Sequence, residues 1–174
     1  LDVNALSAGS EYFALGDFAL GPEARFVAYT EDRTGRQHYT LRVRDLNSGE
    51  DLPLSIHHAA AGIAWLGADL VYVDRRDHSV RQVSLQGVPV RTHYRESDPS
   101  FAVSVRGGER PGSVVITSEN HRSTELRVLD VDDGLHLIDA AAQNGVGLVE
   151  QVHFEGMDHF FGRKGFVRVG RRAL

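Results

Sequence analysis

Apolar residues occur in this chain as short alternating runs rather than at helical spacing. In residues 39–45, Tyr39, Leu41 and Val43 alternate with polar side chains, which is the period-two pattern of a half-buried β-strand. The turn residues 47–49 follow this segment directly. Similar apolar segments bounded by turn residues occupy positions 26–29, 62–66, 70–73, 81–85, 113–117, 125–131, 149–154 and 165–169. The pattern predicts an all-β protein.

The predicted strands also repeat at a regular interval. When the second strand of each pair is aligned, Val43, Val83, Val128 and Val167 fall in register at spacings of 40, 45 and 39 residues. Strand-rich repeats of about 40 residues are typical of β-propeller blades, so we expect about three to four four-stranded antiparallel blades. A β-sandwich also has short strands at regular spacing, and periodicity alone leaves that alternative open.

Helical patterns are few. Residues 1–8 are compatible with one helical turn capped by Asp2. The apolar set in residues 135–145 is soon ended by a turn pair, so we expect no long helix there. Trp65 directly precedes a turn and an apolar strand, and we expect it to lie in a blade core.

The composition is that of a globular protein, with 41% of the 174 residues hydrophobic and 25% charged. A net charge of −5 argues against a nucleic-acid partner. The chain has no cysteine, which excludes disulfides, thiolate catalysis and cysteine-type zinc sites. No apolar run has the length of a membrane-spanning helix, and the N-terminus lacks the pattern of a secretory signal. We therefore expect no membrane partner and a cytoplasmic location.

No residue of the chain is assigned a catalytic role. The serine, histidine and aspartate of a hydrolase triad are all plentiful, but no Gly-x-Ser-x-Gly elbow occurs. Ser48 and Ser113 each stand beside a glycine in a segment between strands, which indicates turn residues.

Nine histidines raise the question of a metal site. His57 and His58 are adjacent, so a strand would direct their rings to opposite sides. His153 and His159 flank a predicted turn, residues 155–158, whose two carboxylates could complete a set of ligands. Solvated polar residues at a hairpin are the simpler interpretation, and we assign no metal-binding and no cofactor-binding residue.

Acidic pairs and a glycine-rich segment also invite ligand hypotheses. Acidic residues cluster at positions 31–32, 50–51 and 130–133, all at the ends of predicted strands. The last cluster lacks the twelve-residue calcium loop with its closing glutamate, so we expect a plain β-turn. Residues 106–112 are rich in glycine, but no helix pattern follows them as a phosphate-binding loop requires.

Three segments resemble a known family. The chain opens with LDVNALSAG in residues 1–9, and RFVAYTED in residues 25–32 precedes YTLRVRDLNSGE in residues 39–50. Together they resemble the N-terminal propeller of the prolyl oligopeptidase family, most closely its oligopeptidase B branch. The resemblance implies a partial propeller and a parent enzyme whose nucleophile, base and acid lie in a separate C-terminal hydrolase domain. It further implies that the propeller limits access to short peptides, and that this chain alone is inactive as a peptidase.

Three charged loops occupy equivalent places in the repeats, namely residues 31–36, 75–78 and 119–123. In the resembled fold they join the second and third strands of a blade. Such loops are usually solvated. The functional alternative is a contact surface for the hydrolase domain or a rim around a central channel.

We divide the chain into an N-terminal connecting segment, residues 1–16, and a partial propeller, residues 17–174. The expected partners are the hydrolase domain of the parent, which is not in this chain, and short peptides as the parent's substrates. Too few blades are present to close a ring, so exposed edges predict a homodimer, through the open ends or by exchange of residues 1–14. The alternatives are a stand-alone degenerate propeller that acts as a protein-interaction module, and a ligand-binding β-sandwich.

Overall fold

A computed structural model describes residues 1–132 and 134–142 of the chain. Its elements are α1 (Val3–Ser7), β1 (Ala14–Leu20), a 3-10 turn (Pro22–Ala24), β2 (Phe26–Asp32), β3 (Tyr39–Asp45), β4 (Asp51–Leu66), β5 (Asp69–Asp74), β6 (Ser79–Val83), β7 (Pro89–Arg95), β8 (Ala102–Gly107), β9 (Ser113–Glu119), β10 (Ser123–Asp130) and β11 (Gly134–Ala142). Across these described residues, no helix combines the length and the apolar character needed to cross a membrane.

The strands form antiparallel sheets that follow the chain order. Strands β1 to β7 hydrogen-bond in sequence, and β8 to β11 form a second sheet with the same neighbour-to-neighbour order. The 16-residue strand β4 serves two blades, because its first part pairs with β3 and its second part pairs with β5. Three four-stranded blades result: β1 to the first part of β4, the second part of β4 to β7, and β8 to β11. This arrangement confirms the all-β prediction and the blades of a partial propeller.

The second blade is buried on both of its faces. In β5, Leu70 and Tyr72 belong to a core shared with the first blade, whereas Val71 and Val73 belong to a core shared with the third. The first core adds Ala28, Leu41, Val43, Leu54, Ala59, Ile63 and Val83. The second core adds Ala64, Leu66, Val80, Val105, Val114, Ile116 and Leu129. The alternation of a strand therefore supplies two cores at once, as stacked blades require.

Small residues in β4 allow this strand to lie close to strands of the neighbouring blades. A Cβ atom on Gly62 would lie 2.4 Å from the carbonyl oxygen of Val105 in β8, so only glycine fits at this contact. The Thr30 hydroxyl donates to the Ala61 carbonyl at 2.6 Å and accepts from the backbone N–H of Asp17 at 3.0 Å. The bond from Thr30 to Ala61 joins the first blade to the second, and the contact of Gly62 with Val105 joins the second blade to the third.

Trp65 lies at the joint between two blades rather than inside one. Its indole N–H donates to the carbonyl of Ala19 in β1 at 3.0 Å, and its ring closes over Gly21. The side chain packs against the first core but is only partly buried. The prediction of a blade-core tryptophan was therefore wrong in detail, because the indole needs a partner for its N–H and finds it on the neighbouring blade.

The repeat inferred from valines is confirmed with one irregularity. Val43, Val83 and Val128 are all buried and all lie on the third strand of their blade. Val43 and Val128 each precede by two residues the aspartate that begins the next turn. Val83 directly precedes the corresponding Ser84, and β6 pairs with β7 through a register shift at this point. Val167 lies outside the described residues.

The predicted helical turn at the N-terminus is confirmed as α1, with the Asp2 carboxylate accepting from the backbone N–H of Asn4 at 3.0 Å and of Ala5 at 3.2 Å. The apolar set after residue 134 forms β11 and no helix within the described residues. The division of the chain after residue 16 remains a prediction, although β1 begins at Ala14 and crosses it.

We predict that Trp65→Phe lowers the free energy of unfolding by about 1 kcal/mol, because the Ala19 carbonyl loses its donor. Trp65→Ala should cost about 3 kcal/mol, the lower end of the range for buried aromatics, since the ring is only partly buried. Urea denaturation of the purified chain measures both. Val88→Ala, at an exposed turn, is the control and should stay within about 0.5 kcal/mol. Equal stability of Trp65→Ala and the control would contradict this account of the joint.

Candidate functional site

The loops that join second and third strands lie at one end of the stacked blades. The Arg75 guanidinium in the β5–β6 loop donates to the carbonyl of Gln37 in the β2–β3 loop. The His78 carbonyl accepts from the backbone N–H of Glu96, whose carboxylate in turn accepts from the Ser118 hydroxyl at the end of β9. The first two loops are thus in direct contact, and the third is linked to them through Glu96 of the β7–β8 connection. This end of the blades is the candidate site, which we call the loop end.

Each of these loops is folded by a carboxylate or amide at its first position. In the first blade, Asp32 accepts at one oxygen from the Thr34 N–H (2.8 Å) and hydroxyl (2.7 Å), and at the other from the Gln37 N–H (2.6 Å). Asp32 is 1% exposed. Burial alone raises the pKa of this carboxyl, but the hydrogen bonds outweigh burial and hold the pKa below its usual value of 3.8.

In the second blade a buried carboxylate folds the loop in the same way, with added ion pairs. Asp74, fully buried at the end of β5, accepts from the backbone N–H of Arg76 at 3.0 Å and pairs with the Arg76 guanidinium at 2.6 Å. Arg81 approaches the same carboxylate at 3.1 Å. Burial raises the pKa of Asp74, yet the Arg76 bonds and the nearby cations hold it below the usual range.

The third blade uses an amide at the same place. The Asn120 side-chain oxygen accepts from the backbone N–H groups of Arg122 at 2.8 Å and Ser123 at 2.9 Å. An uncharged oxygen suffices here because only one acceptor atom is needed. The cationic and imidazole side chains at the loop tips remain exposed, namely Arg36, His38, Arg75, His121 and Arg122.

The two serines considered for catalysis occupy turns, as predicted. The Ser48 hydroxyl oxygen accepts from the Glu50 N–H at 3.2 Å in the β3–β4 turn. Ser113 is buried at the start of β9 and donates its hydroxyl to the Arg110 carbonyl at 2.7 Å, which closes the hairpin after the glycine-rich segment 106–112. Both positions are at the opposite end of the blades from the loop end, because they lie in the first-to-second and third-to-fourth strand connections.

The histidine and acidic candidates do not assemble a metal site in the described part of the chain. His57 contacts the Thr40 hydroxyl at 3.2 Å, and the His58 ring packs edge-on against His38 with centroids 6.4 Å apart. Asp130 begins a turn by accepting from the Asp132 N–H at 3.0 Å, as predicted. The candidates at residues 153–159 lie outside the described residues.

A partly buried polar cluster at the joint between the second and third blades was not predicted. Glu96, between β7 and β8, accepts from the Tyr94 hydroxyl and the Ser118 hydroxyl, and the guanidinium of Arg127 lies 4.1 Å from the centre of the Tyr94 ring. Burial raises the pKa of Glu96, but these hydrogen bonds hold it below the usual range. The residues come from three strands and one connecting segment, so no local motif marks them.

Comparison with known proteins identifies the family to which this architecture belongs. The family model for "Prolyl oligopeptidase, N-terminal beta-propeller domain" matches residues 1–164. Dipeptidyl aminopeptidase BI of Pseudoxanthomonas mexicana is 32% identical over 136 residues, covering 73% of this chain and 19% of the relative. Protease 2 of Moraxella lacunata is 22% identical over 166 residues, covering 89% of this chain and 24% of the relative.

Solved structures give the same fold. Oligopeptidase B from Leishmania major superposes with a TM-score of 0.70 at 20% identity, covering 82% of this chain and 22% of that one. The β-propeller domain of the Trilobed protease from Pyrococcus furiosus superposes with a TM-score of 0.53 at 12% identity, covering 77% and 44%. The chain thus spans about a fifth to a quarter of the two curated relatives, with 19% and 24%.

We predict that Asp32→Asn lowers the free energy of unfolding by about 1–3 kcal/mol at neutral pH, because an amide NH₂ cannot accept from the Gln37 N–H. The folded pKa of Asp32 lies below 3.8, so its contribution is complete above the unfolded pKa and is lost as pH falls through the folded value. The stability of the variant should therefore fall less than that of the unsubstituted chain as the pH drops below 3.8.

The reciprocal change Asn120→Asp is the matched control, because a single oxygen accepts both N–H groups there. Denaturant melts from neutral to acidic pH compare the two variants with the parent. A larger loss at neutral pH for Asn120→Asp than for Asp32→Asn would contradict the role given to the second oxygen.

Proposed function

Because the chain belongs to the prolyl oligopeptidase family through its N-terminal β-propeller domain, we propose that it is a non-catalytic part of a serine oligopeptidase. In this proposal the propeller restricts peptide access to a hydrolase domain that is absent from the chain. The observation that carries it is the series of three blades joined by shared apolar cores and by hydrogen bonds, a form suited to a barrier.

The hydroxyl groups of the described serines support a structural role. Ser7 and Ser113 donate to backbone carbonyls, and Ser79 donates to the carboxylate of Asp77. The Ser48 and Ser84 hydroxyl oxygens instead accept from backbone N–H groups of their turns, and Ser118 donates to Glu96 at the joint between the second and third blades. A nucleophile needs an adjacent general base and an exposed position on a sharp turn, whereas these hydroxyls are committed to holding the backbone.

The barrier would act by size and by water exclusion. A propeller that covers a hydrolase site admits peptides small enough to pass and keeps bulk water from the reacting groups. The joint between the first and second blades governs such passage. There Thr30 of β2 and Trp65 of β4 make the hydrogen bonds that connect the two blades.

The loop end is the proposed contact surface for the hydrolase domain. Its carboxylates Asp32 and Asp74 are buried in the loop bases, where they fix the backbone. The exposed tips then present arginine and histidine side chains on a rigid frame, which suits a polar and reversible domain contact. We also propose a cytoplasmic parent, in keeping with a chain that has no cysteine.

The access proposal predicts that weakening the joint between the first and second blades changes which peptide lengths the enzyme accepts. In the parent enzyme with its hydrolase domain, Thr30→Val removes the hydroxyl bonds to Ala61 and Asp17 at nearly constant volume. The ratio of kcat/KM for long over short arginine-containing peptides should rise about fivefold, the factor that 1 kcal/mol makes in an opening equilibrium. Fluorogenic peptides of matched sequence around the cleavage site provide the measurement.

Two controls bracket that experiment. Thr92→Val makes the same change at an exposed position of β7 and should leave the ratio unchanged. The isolated chain should hydrolyse neither peptide. Equal ratios in the parent and Thr30→Val would contradict gating, and a reading frame without a downstream hydrolase domain would favour the stand-alone interaction module.

The proposal extends to self-association of the isolated chain. Phe18 and Leu20 are 57% and 55% exposed, and they lie opposite Tyr29 and Val27, on the side of the first blade turned away from the second. Apolar residues on an uncovered blade face favour contact with a second copy.

We expect light scattering to give masses above 19.2 kDa that rise with concentration. The double substitution Phe18→Ser with Leu20→Ser should restore the monomer mass. Val88→Ser with Val90→Ser removes two comparably exposed valines, 59% and 52%, at another surface and should not. A monomer mass for the unsubstituted chain at every concentration would end this part of the proposal.

A further inference from the structure

The N-terminal segment, residues 1–13, rests on the loop end of the first blade with little burial of its own. Leu6 is its one buried side chain, with 9% exposed, whereas Leu1, Val3 and Tyr12 are 42–46% exposed. Its helix α1 has five residues. Helices this short do not persist in water without tertiary contacts, so something on the blade must hold the segment in place.

The guanidinium of one residue, Arg33, makes polar contacts with this segment. Arg33, in the β2–β3 loop, donates to the Leu6 carbonyl at 2.9 Å and to the Ser10 hydroxyl at 2.5 Å. The same guanidinium lies 5.3 Å from the centre of the Phe13 ring. It therefore touches the segment near its helix, at its middle and at its end. Planar donors of this kind fix geometry that a flexible ammonium cannot.

Arg33 is itself held in place by an ion pair within the first blade. Its guanidinium pairs with the Glu31 carboxylate at 3.0 Å, and Glu31, 2% exposed, is also bound by Arg42 at 2.7 Å. Removal of Arg33 would leave Glu31 with its Arg42 partner, so the blade beneath keeps a paired carboxylate. The contacts to the segment and the contacts within the blade can thus be separated by substitution.

We propose that residues 1–13 form a strap latched to the first blade by Arg33, and that the strap detaches while the blades stay folded. Detachment uncovers Leu6 and Phe13 and frees the Arg33 guanidinium donors that bind the segment at the loop end. The latch therefore controls whether this part of the loop end is covered, independently of the access function proposed above.

Hydrogen exchange of the 174-residue chain, followed by mass spectrometry or NMR, tests the latch. The informative amides are those of Leu6, Ala8 and Ser10, which bond within the strap. In Arg33→Ala these amides should exchange about five- to thirty-fold faster. Amides of β2 and β3 should keep the rates of the unsubstituted chain.

Two further variants make the result specific. Arg36→Ala removes the same side chain from an exposed position of the same loop and should leave strap exchange unchanged. Arg33→Lys keeps the charge beside Glu31 but loses the planar fork, and should also exchange faster than the unsubstituted chain. Equal rates in Arg33→Ala and Arg36→Ala would overturn the latch. Loss of protection in β2 and β3 with the strap would overturn its independent detachment.

Discussion

The structure depends on burial of the second blade from both sides. Alternate side chains of β5 enter different cores, so a change in one strand affects its contacts with two neighbouring blades. A single four-stranded blade of this kind has no interior of its own and gains one only by stacking. The first blade has a neighbouring blade on one face only among the described residues, and Phe18 and Leu20 are exposed on its other face.

Polar groups set the geometry that apolar burial leaves undetermined. Two sheets can slide over each other at small cost in buried area, but hydrogen bonds between named atoms fix one register. Thr30 to Ala61 and Trp65 to Ala19 do this at the first joint. The absence of a Cβ at Gly62 permits the inner strands to approach closely enough for the second core to close.

Local chemistry made most of the architecture predictable. Period-two alternation located β3, the turn residues located its hairpin with β4, and Asp2 marked the start of α1. The equivalence of the three charged loops was also expected from the repeat and the resembled fold, but the bonds of Asp32, Asp74 and Asn120 that fold these loops were not. The continuity of β4 across two blades did not follow, because its bend occurs at His58, which adopts a positive φ of 65° that the sequence gives no reason to expect.

The unpredicted features share one physical origin. Trp65, Glu96 and Arg33 each act through partners that are distant in sequence, on another blade or in the N-terminal segment. Their side chains are ordinary at their own positions, and the alternation pattern counts only whether a residue is apolar. Sequence reasoning therefore recovers elements that are stabilised within themselves more readily than the contacts that join them.

The two joints between blades are built differently, and this bears on how a propeller of this kind could open. The first is crossed by the uninterrupted strand β4, so separating those blades would break strand pairing. The second is crossed by the loop between β7 and β8, in which Glu96 accepts hydrogen bonds from the Tyr94 and Ser118 hydroxyls. Covalent continuity in a strand resists hinge motion, whereas a loop can absorb it. The second joint therefore has no strand running through it, and an apolar core shared by the two blades holds it together with the contacts of Glu96.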